Sequence, residues 1–296
     1  MTPNTILAYF NPFATTSSLR PSAKKEDVEV QQGKTGTALS AFRFLFNAPS
    51  KLLLWNRYIG SGNISAETID AAKTFLHDGG LHNVAILADA YSPGTVWHRI
   101  FSNPRTSLLG KCTLGLGSGI THSLGLFKLI GADHYDPMAN TVNLFSNDPS
   151  MALHECGHAQ DFQHRLNPSL YFLTRSPIFS FVSPIVGGLP TLYQEYQASN
   201  NAIQYLRDHG QLDAVKSALK TLIPAFASYC AVMVSKGSLS IYLDTKNCML
   251  GDMNACNSLI QAAIPVITIF TIGHAIGRVL AAQEQLTPHK SPILPV

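Results

Sequence analysis

Charge is scarce in this chain: 13% of its 296 residues are charged, against 46% apolar. So lean a composition points to extensive burial or to contact with lipid. The formal net charge of +3 is too small for an electrostatic nucleic-acid footprint. Nor is there a basic run with interleaved aromatics, since Lys24-Lys25 is followed at once by Glu26-Asp27. No nucleic-acid partner is expected. Five cysteines across this length make no disulfide framework. Cys248 and Cys256 flank one short polar loop and either pair in an oxidising space or stay as thiols. The opening MTPNTILAYFNPF has no basic start and no adequate apolar run, so no secretory signal peptide is expected. A complete phosphate-binding loop is also missing. In Leu114–Gly119 the place of the last glycine falls to Ile120, and Gly33-Lys34-Thr35 lacks its upstream glycine. Both stretches are expected to be loops.

What is present centres on His154-Glu155-Cys156-Gly157-His158, an HExxH motif. Asp148 suits an N-cap and Pro149 the first helical position, where the missing N–H costs nothing. Asn167-Pro168 closes the far end. On such a helix His154 and His158 lie one turn apart and leave the same face, so both can ligate one ion. Glu155 is rotated off that axis, toward a bound water. Zinc held there lowers the pKa of such a water to about 7. Glu155 then serves as general base and returns the proton to a leaving amine. The uncharged neighbours Ala152, Leu153, Cys156, Gly157 and Ala159 suit a buried helix.

Two histidines leave a catalytic zinc one protein ligand short. His164 completes HExxHxxDxxH, close to the metzincin spacing, but Asp161 stands where the chain must turn. Glu195 is the other candidate. It shares one helical face with Ala198, Ser199 and Ala202, and those small residues let its helix pack closely on the first. Pro190 is expected to open that helix and Gly210 to end it.

HECGH followed by EYQAS resembles the gluzincin metallopeptidases. The strings NTVNLFSNDPSMALHECGHAQDF and LYQEYQAS also look like a family of uncharacterised bacterial membrane-associated zincin-like proteins. The resemblance covers about a quarter of the chain and implies zinc ligands His154, His158 and Glu195, with Glu155 as catalyst. The family's aspartate four residues past the glutamate is Ser199 here, and that aspartate normally orients a metal-bound histidine. Asp161 is a second candidate for this supporting role.

The remaining expectations concern organisation. Residues 1–39 read as a flexible lead-in, 40–211 as a zincin-like α+β catalytic domain, and 212–296 as a helical hairpin with a polar tail. Ala38–Trp55 reads as two short helices or an interfacial segment. Ser65 caps an amphipathic helix, Asn83–Ala90 is a strand, and Asn140–Phe145 is an edge strand on which an extended peptide can add. Ser176–Leu192 is too broken by Pro and Gly to be an ordinary spanning helix. Leu219–Leu243 and Leu259–Leu280 are expected to form a transmembrane hairpin around the polar loop Asp244–Asn257. Arg207, Lys216, Lys220 and Lys290 then place the catalytic part and C-terminus on the cytoplasmic side. Tyr229, His274 and Arg278 are candidate oxyanion groups. The function expected is a zinc (Zn2+) metallopeptidase acting on protein or peptide substrate at a lipid membrane. The alternatives are a non-catalytic membrane protein with a structural or degenerate metal site, and a metzincin-type protease.

Overall fold

The computed structural model describes residues 28–48, 51, 58–81, 83–164, 184–234 and 238–284. Its elements run β1 (Glu29–Gln32), α1 (Thr37–Phe46), α2 (Ala66–Asp78), β2 (Ala85–Ala88), α3 (Pro93–Ser102), α4 (Leu116–Ser123), α5 (Leu126–Ile130), β3 (His134–Asp136) and β4 (Thr141–Leu144). Five long helices follow: α6 (Pro149–His164), α7 (Pro184–Asp208), α8 (Leu212–Val234), α9 (Ser238–Met249) and α10 (Met253–Gln283). The described fold is mostly helical with a small mixed sheet, an α+β architecture.

The sheet order is β1-β2-β4-β3. The first three strands are parallel, with Val30, Ile86 and Val142 in register, and β3 closes the sheet antiparallel to β4. Two expectations are corrected here. Glu29–Gln32 lies in the expected lead-in, yet it pairs with β2; its polar sequence suits a half-exposed edge strand. The strand near Asn140–Phe145 is interior, bonded on one side to β2 and on the other to β3, so the edge beside it belongs to β3. Every residue of β4 is buried.

Helix α6 is the hub. It packs against β3, β4, α2, α7 and α8. Asp148 Oδ1 accepts the Ser150 N–H at 2.8 Å, so the N-cap and Pro149 start the helix as expected. Ser65 likewise caps α2 through the Thr68 N–H at 3.3 Å. The expected ends of α6 at Asn167-Pro168 and of the broken stretch from Ser176 to residue 183 lie outside the described residues. Helix α7 begins at Pro184, not at Pro190, and Gly210, with φ of 66°, terminates it.

The glycine-rich Leu114–Gly119 is helical, not a loop: a π turn over Lys111–Gly115 runs into α4. A Cβ on Gly115 would lie 2.8 Å from Ile100 Cγ2, and one on Gly119 2.5 Å from Trp97, so close packing on α3 offsets the poor helix propensity.

The hairpin expectation needs revision as well. Val215, Ala218, Leu219 and Leu222 of α8 are buried in the core, because that face packs on α6 and α7. Its first half is therefore a core helix. Among the described residues α10 alone is long and apolar enough, by length and composition, to cross a membrane. Gly273 and Gly277 press α10 onto α8; Cβ atoms there would meet Ala227 Cβ at 2.5 Å and Leu219 O at 2.8 Å. The Asp244–Asn257 segment is the end of α9, a turn and the start of α10, closed by a Cys248–Cys256 disulfide.

One buried ion pair ties α1 to the sheet. Arg43 Nη1 lies 3.0 Å from Asp89 Oδ1 and both side chains are fully buried. The Thr35 hydroxyl donates to Asp89 Oδ2, and Arg43 Nε donates to the Lys128 carbonyl at 2.6 Å. Asp89→Ala leaves a guanidinium buried without its counter-charge, at a cost of about 3–5 kcal/mol. Urea denaturation checks this, and a loss below about 1 kcal/mol would show that the pair is not essential.

Candidate metal centre

The HExxH residues come together as their spacing predicts, and α7 supplies the third group. Glu195 Oε2 lies 3.1 Å from His154 Nε2 and 3.5 Å from His158 Nε2. All three side chains are buried, and their ligand atoms lie within 4.8 Å of one another. Four ligands at about 2.0–2.1 Å around zinc stand roughly 3.3 Å apart. The carboxylate-to-imidazole distances bracket that figure, so the buried group could hold a metal ion.

Close helix packing makes this convergence possible. Gly157 faces the α7 backbone, and a Cβ there would lie 2.5 Å from the Ala198 carbonyl oxygen. Gly157→Ala must therefore push α7 outward, carrying Glu195 away from the imidazoles. The expected result is a stability loss of about 1–3 kcal/mol together with weaker metal binding. Unchanged metal affinity in the folded variant would show that the separation of these helices does not set the site.

The supporting groups divide. Ser199 Oγ lies 3.1 Å from His154 Nδ1, so the hydroxyl, as expected of this position, fixes the orientation of that imidazole. With a proton on Nδ1 the hydroxyl accepts, which would leave the Nε2 lone pair available to a metal ion. Asp161 is buried and accepts from Asn201 Nδ2 at 3.0 Å, a second link between α6 and α7. Tyr229 lies exposed on α8, whereas His274 and Arg278 lie on α10, the first half-buried and the second exposed. The His164 side chain is outside the described residues. Its backbone is the last residue of an unbroken α6, and Asp161 is not among the positive-φ residues. The turn that metzincin spacing requires is not made.

The electrostatics separate the two glutamates. Burial pushes the Glu155 carboxyl up to about 7; the charges of Glu195 and Asp133 add to this, while His154 and a backbone hydrogen bond from Tyr135 oppose it. Burial also favours protonation of Glu195, but His158 and His154 outweigh it and hold that carboxyl well below the usual carboxylate range. For His154, burial favours the neutral ring, yet the Glu195 hydrogen bond and the charges of Glu155, Glu195 and Asp133 leave its pKa raised. Thus, without metal, Glu195 is the fixed anion and Glu155 the carboxyl poised near neutrality. Burial drives the Cys156 thiol well above its ordinary value, which suits a packing residue rather than a ligand.

Two contributors were not legible in the sequence. Asp133, half-buried, accepts N–H bonds from Phe145 and Ser146 at 2.5 and 2.9 Å and acts on Glu155 through its charge. Tyr135 acts through its backbone, which no residue-type motif can register. Comparison with protein-family models, curated proteins and solved structures returns no match.

Proposed function

We propose that the chain is a zinc-dependent metallopeptidase with a zincin-like core, anchored in a membrane by α10. The observation that carries this reading is the convergence of two imidazoles from one helix and a carboxylate from another, at 3.1 and 3.5 Å. His154, His158 and Glu195 would hold the ion, which when bound supplies Lewis acidity and lowers the pKa of a water to about 7. Glu155, with its carboxyl near neutrality, can take a proton and give it back within one cycle. Ser199 orients His154, and Glu195 keeps its negative charge for the ion. The peptide side of the reaction fits β3, an edge strand whose Tyr135 backbone hydrogen-bonds Glu155. An extended chain adding there by main-chain hydrogen bonds would run past the general base.

A closed structural site would use four protein ligands. Among the described residues the cluster holds three, and the catalytic reading needs the fourth position for water. The membrane part rests on the apolar span of α10 and on an end-to-end asymmetry. Arg207 Nε donates to Glu284 at 2.9 Å, fixing the C-terminal end of α10 beside the catalytic core. The disulfide lies at the opposite end, beside Met253. Arg207, Lys216 and Lys220 near the core end support a cytoplasmic core, with the disulfide in the oxidising space.

Both parts can be tested directly. Zinc-loaded protein should cleave an unfolded casein, and chelation should stop cleavage until zinc is restored; cleavage unaffected by chelation would remove the metal from the chemistry. Carbonate should leave the chain in the membrane pellet, and release into the supernatant would contradict a spanning α10.

A further inference from the structure

Helix α1 is built inside out. It buries Arg43 and Asn47 and exposes Phe42, Phe44, Leu45 and Phe46, with Leu45 at 72%. The same inversion recurs along the π turn, α4 and its C-cap, where Gly115 and Gly119 line the inner face and Leu116, Ile120 and Leu124 form an outward stripe at i, i+4 and i+8. The two surfaces adjoin through α5. Arg43 Nε donates to the Lys128 carbonyl and Asn47 Nδ2 to the Ile130 carbonyl, at 2.6 and 2.8 Å, stapling α1 onto α5, which follows α4 directly. Polar groups thus fix these helices from inside while their large apolar side chains face outward. Clustered exposed apolar side chains of this kind mark contact surfaces for a partner or a lipid.

Charge selects the occupant. From Val30 to Ala66 and again from Ala90 to Ala132 the sequence has no Asp or Glu, whereas Lys34, Lys51 and Lys111 fall within these stretches. Lys51 Nζ lies 4.8 Å from the centre of the Phe44 ring, and Lys111 precedes the Leu116 stripe by about one turn. A protein partner or a second copy of this chain gives no reason to remove every carboxylate from both segments. An anionic bilayer surface does. Apolar side chains enter the acyl boundary while lysines at the rim meet headgroup phosphates and carboxylates.

We infer that α1, α4 and α5 form a monotopic docking surface for an anionic lipid leaflet, separate from α10 and independent of the metal site. The surface sets the catalytic core down on the membrane instead of leaving it tethered above it.

Cys112 provides the probe. It is exposed beside the patch, while Cys156 is buried and Cys248–Cys256 are bonded to each other. With Cys230→Ser as background, the full chain is labelled at Cys112 with an environment-sensitive nitrobenzoxadiazole dye. It is then incorporated into phosphatidylcholine vesicles with or without about 30 % phosphatidylserine. The expected result is a blue-shifted, several-fold brighter emission in the anionic vesicles, quenched by shallow doxyl lipids. A triple variant, Leu116→Gln with Ile120→Gln and Leu124→Gln, should lose both effects; these side chains are exposed, so circular dichroism should be unchanged. Emission that ignores the doxyl lipids would overturn the inference. So would a blue shift without lipid that grows with protein concentration, which would assign the patch to contact between copies. Because the dye reports only its own surroundings, failure here leaves anchoring by α10 and zinc chemistry to be judged by their own tests.

Discussion

Glu155→Gln should retain zinc at the native stoichiometry and lose hydrolysis by a factor on the order of 10³. The amide preserves side-chain volume inside the core but cannot take a proton. Retained activity at native zinc content would take Glu155 out of the mechanism. The same substitution has a second consequence in chelated protein. Glu155 has an ordinary pKa of 4.5 and is pushed up to about 7 by burial. The folded state therefore binds this proton more tightly than the unfolded state does. Below about 4.5 the group is protonated in both states and costs nothing. As pH rises toward 7 the unfolded chain ionises first and stability falls, levelling off above 7. The full effect is on the order of 3 kcal/mol. The native chain should lose this much between about pH 4.5 and 7 relative to the Gln variant, as read by denaturant unfolding at several pH values. Parallel curves for the two proteins would show that the carboxyl is not held in the folded state as described.

The second large effect concerns the third ligand. Glu195→Ala should abolish stoichiometric zinc binding, lowering affinity by about 100-fold or more, beyond what loss of a supporting hydrogen bond causes. His164→Ala should leave zinc bound, since α6 passes through Asp161 without the turn needed to bring His164 back. Zinc at about a thousand times its dissociation constant stabilises a folded site by roughly 4 kcal/mol. That increment should appear in the native protein and the His164→Ala variant and vanish in Glu195→Ala. The reverse pattern, with zinc lost only on replacing His164, would end the reading built on Glu195.

How far the sequence reached depends on whether the cause was local. Asp148 and Pro149 announced the start of α6 because capping involves neighbours only, and the histidine pair follows from helical pitch. Glu195 was recognisable as a candidate through the small residues on its face. Strand order was not recognisable. The string around Thr141–Leu144 reads as a strand in either position, and only pairing with both β2 and β3 makes it interior. Glu29–Gln32 looked like flexible lead-in because a polar edge strand has no apolar alternation to reveal it. The glycines of Leu114–Gly119 looked like a loop because propensity counts their cost but not the Trp97 and Ile100 side chains that need the space. Leu219 and its neighbours looked like a membrane arm because burial against protein and burial in lipid select the same residues.

By itself the sequence determined the HExxH helix, its start, the capped α2 and the apolar span of α10, each fixed by contacts within a few residues along the chain. Only the tertiary structure decided which carboxylate meets the imidazoles, how Glu155 is shifted toward neutrality and which strand borders the site. The reason is distance along the chain. Gly157 against Ala198, and Asp133 near Glu155, are separated by tens of residues, and such contacts exist only once the helices and the sheet have packed.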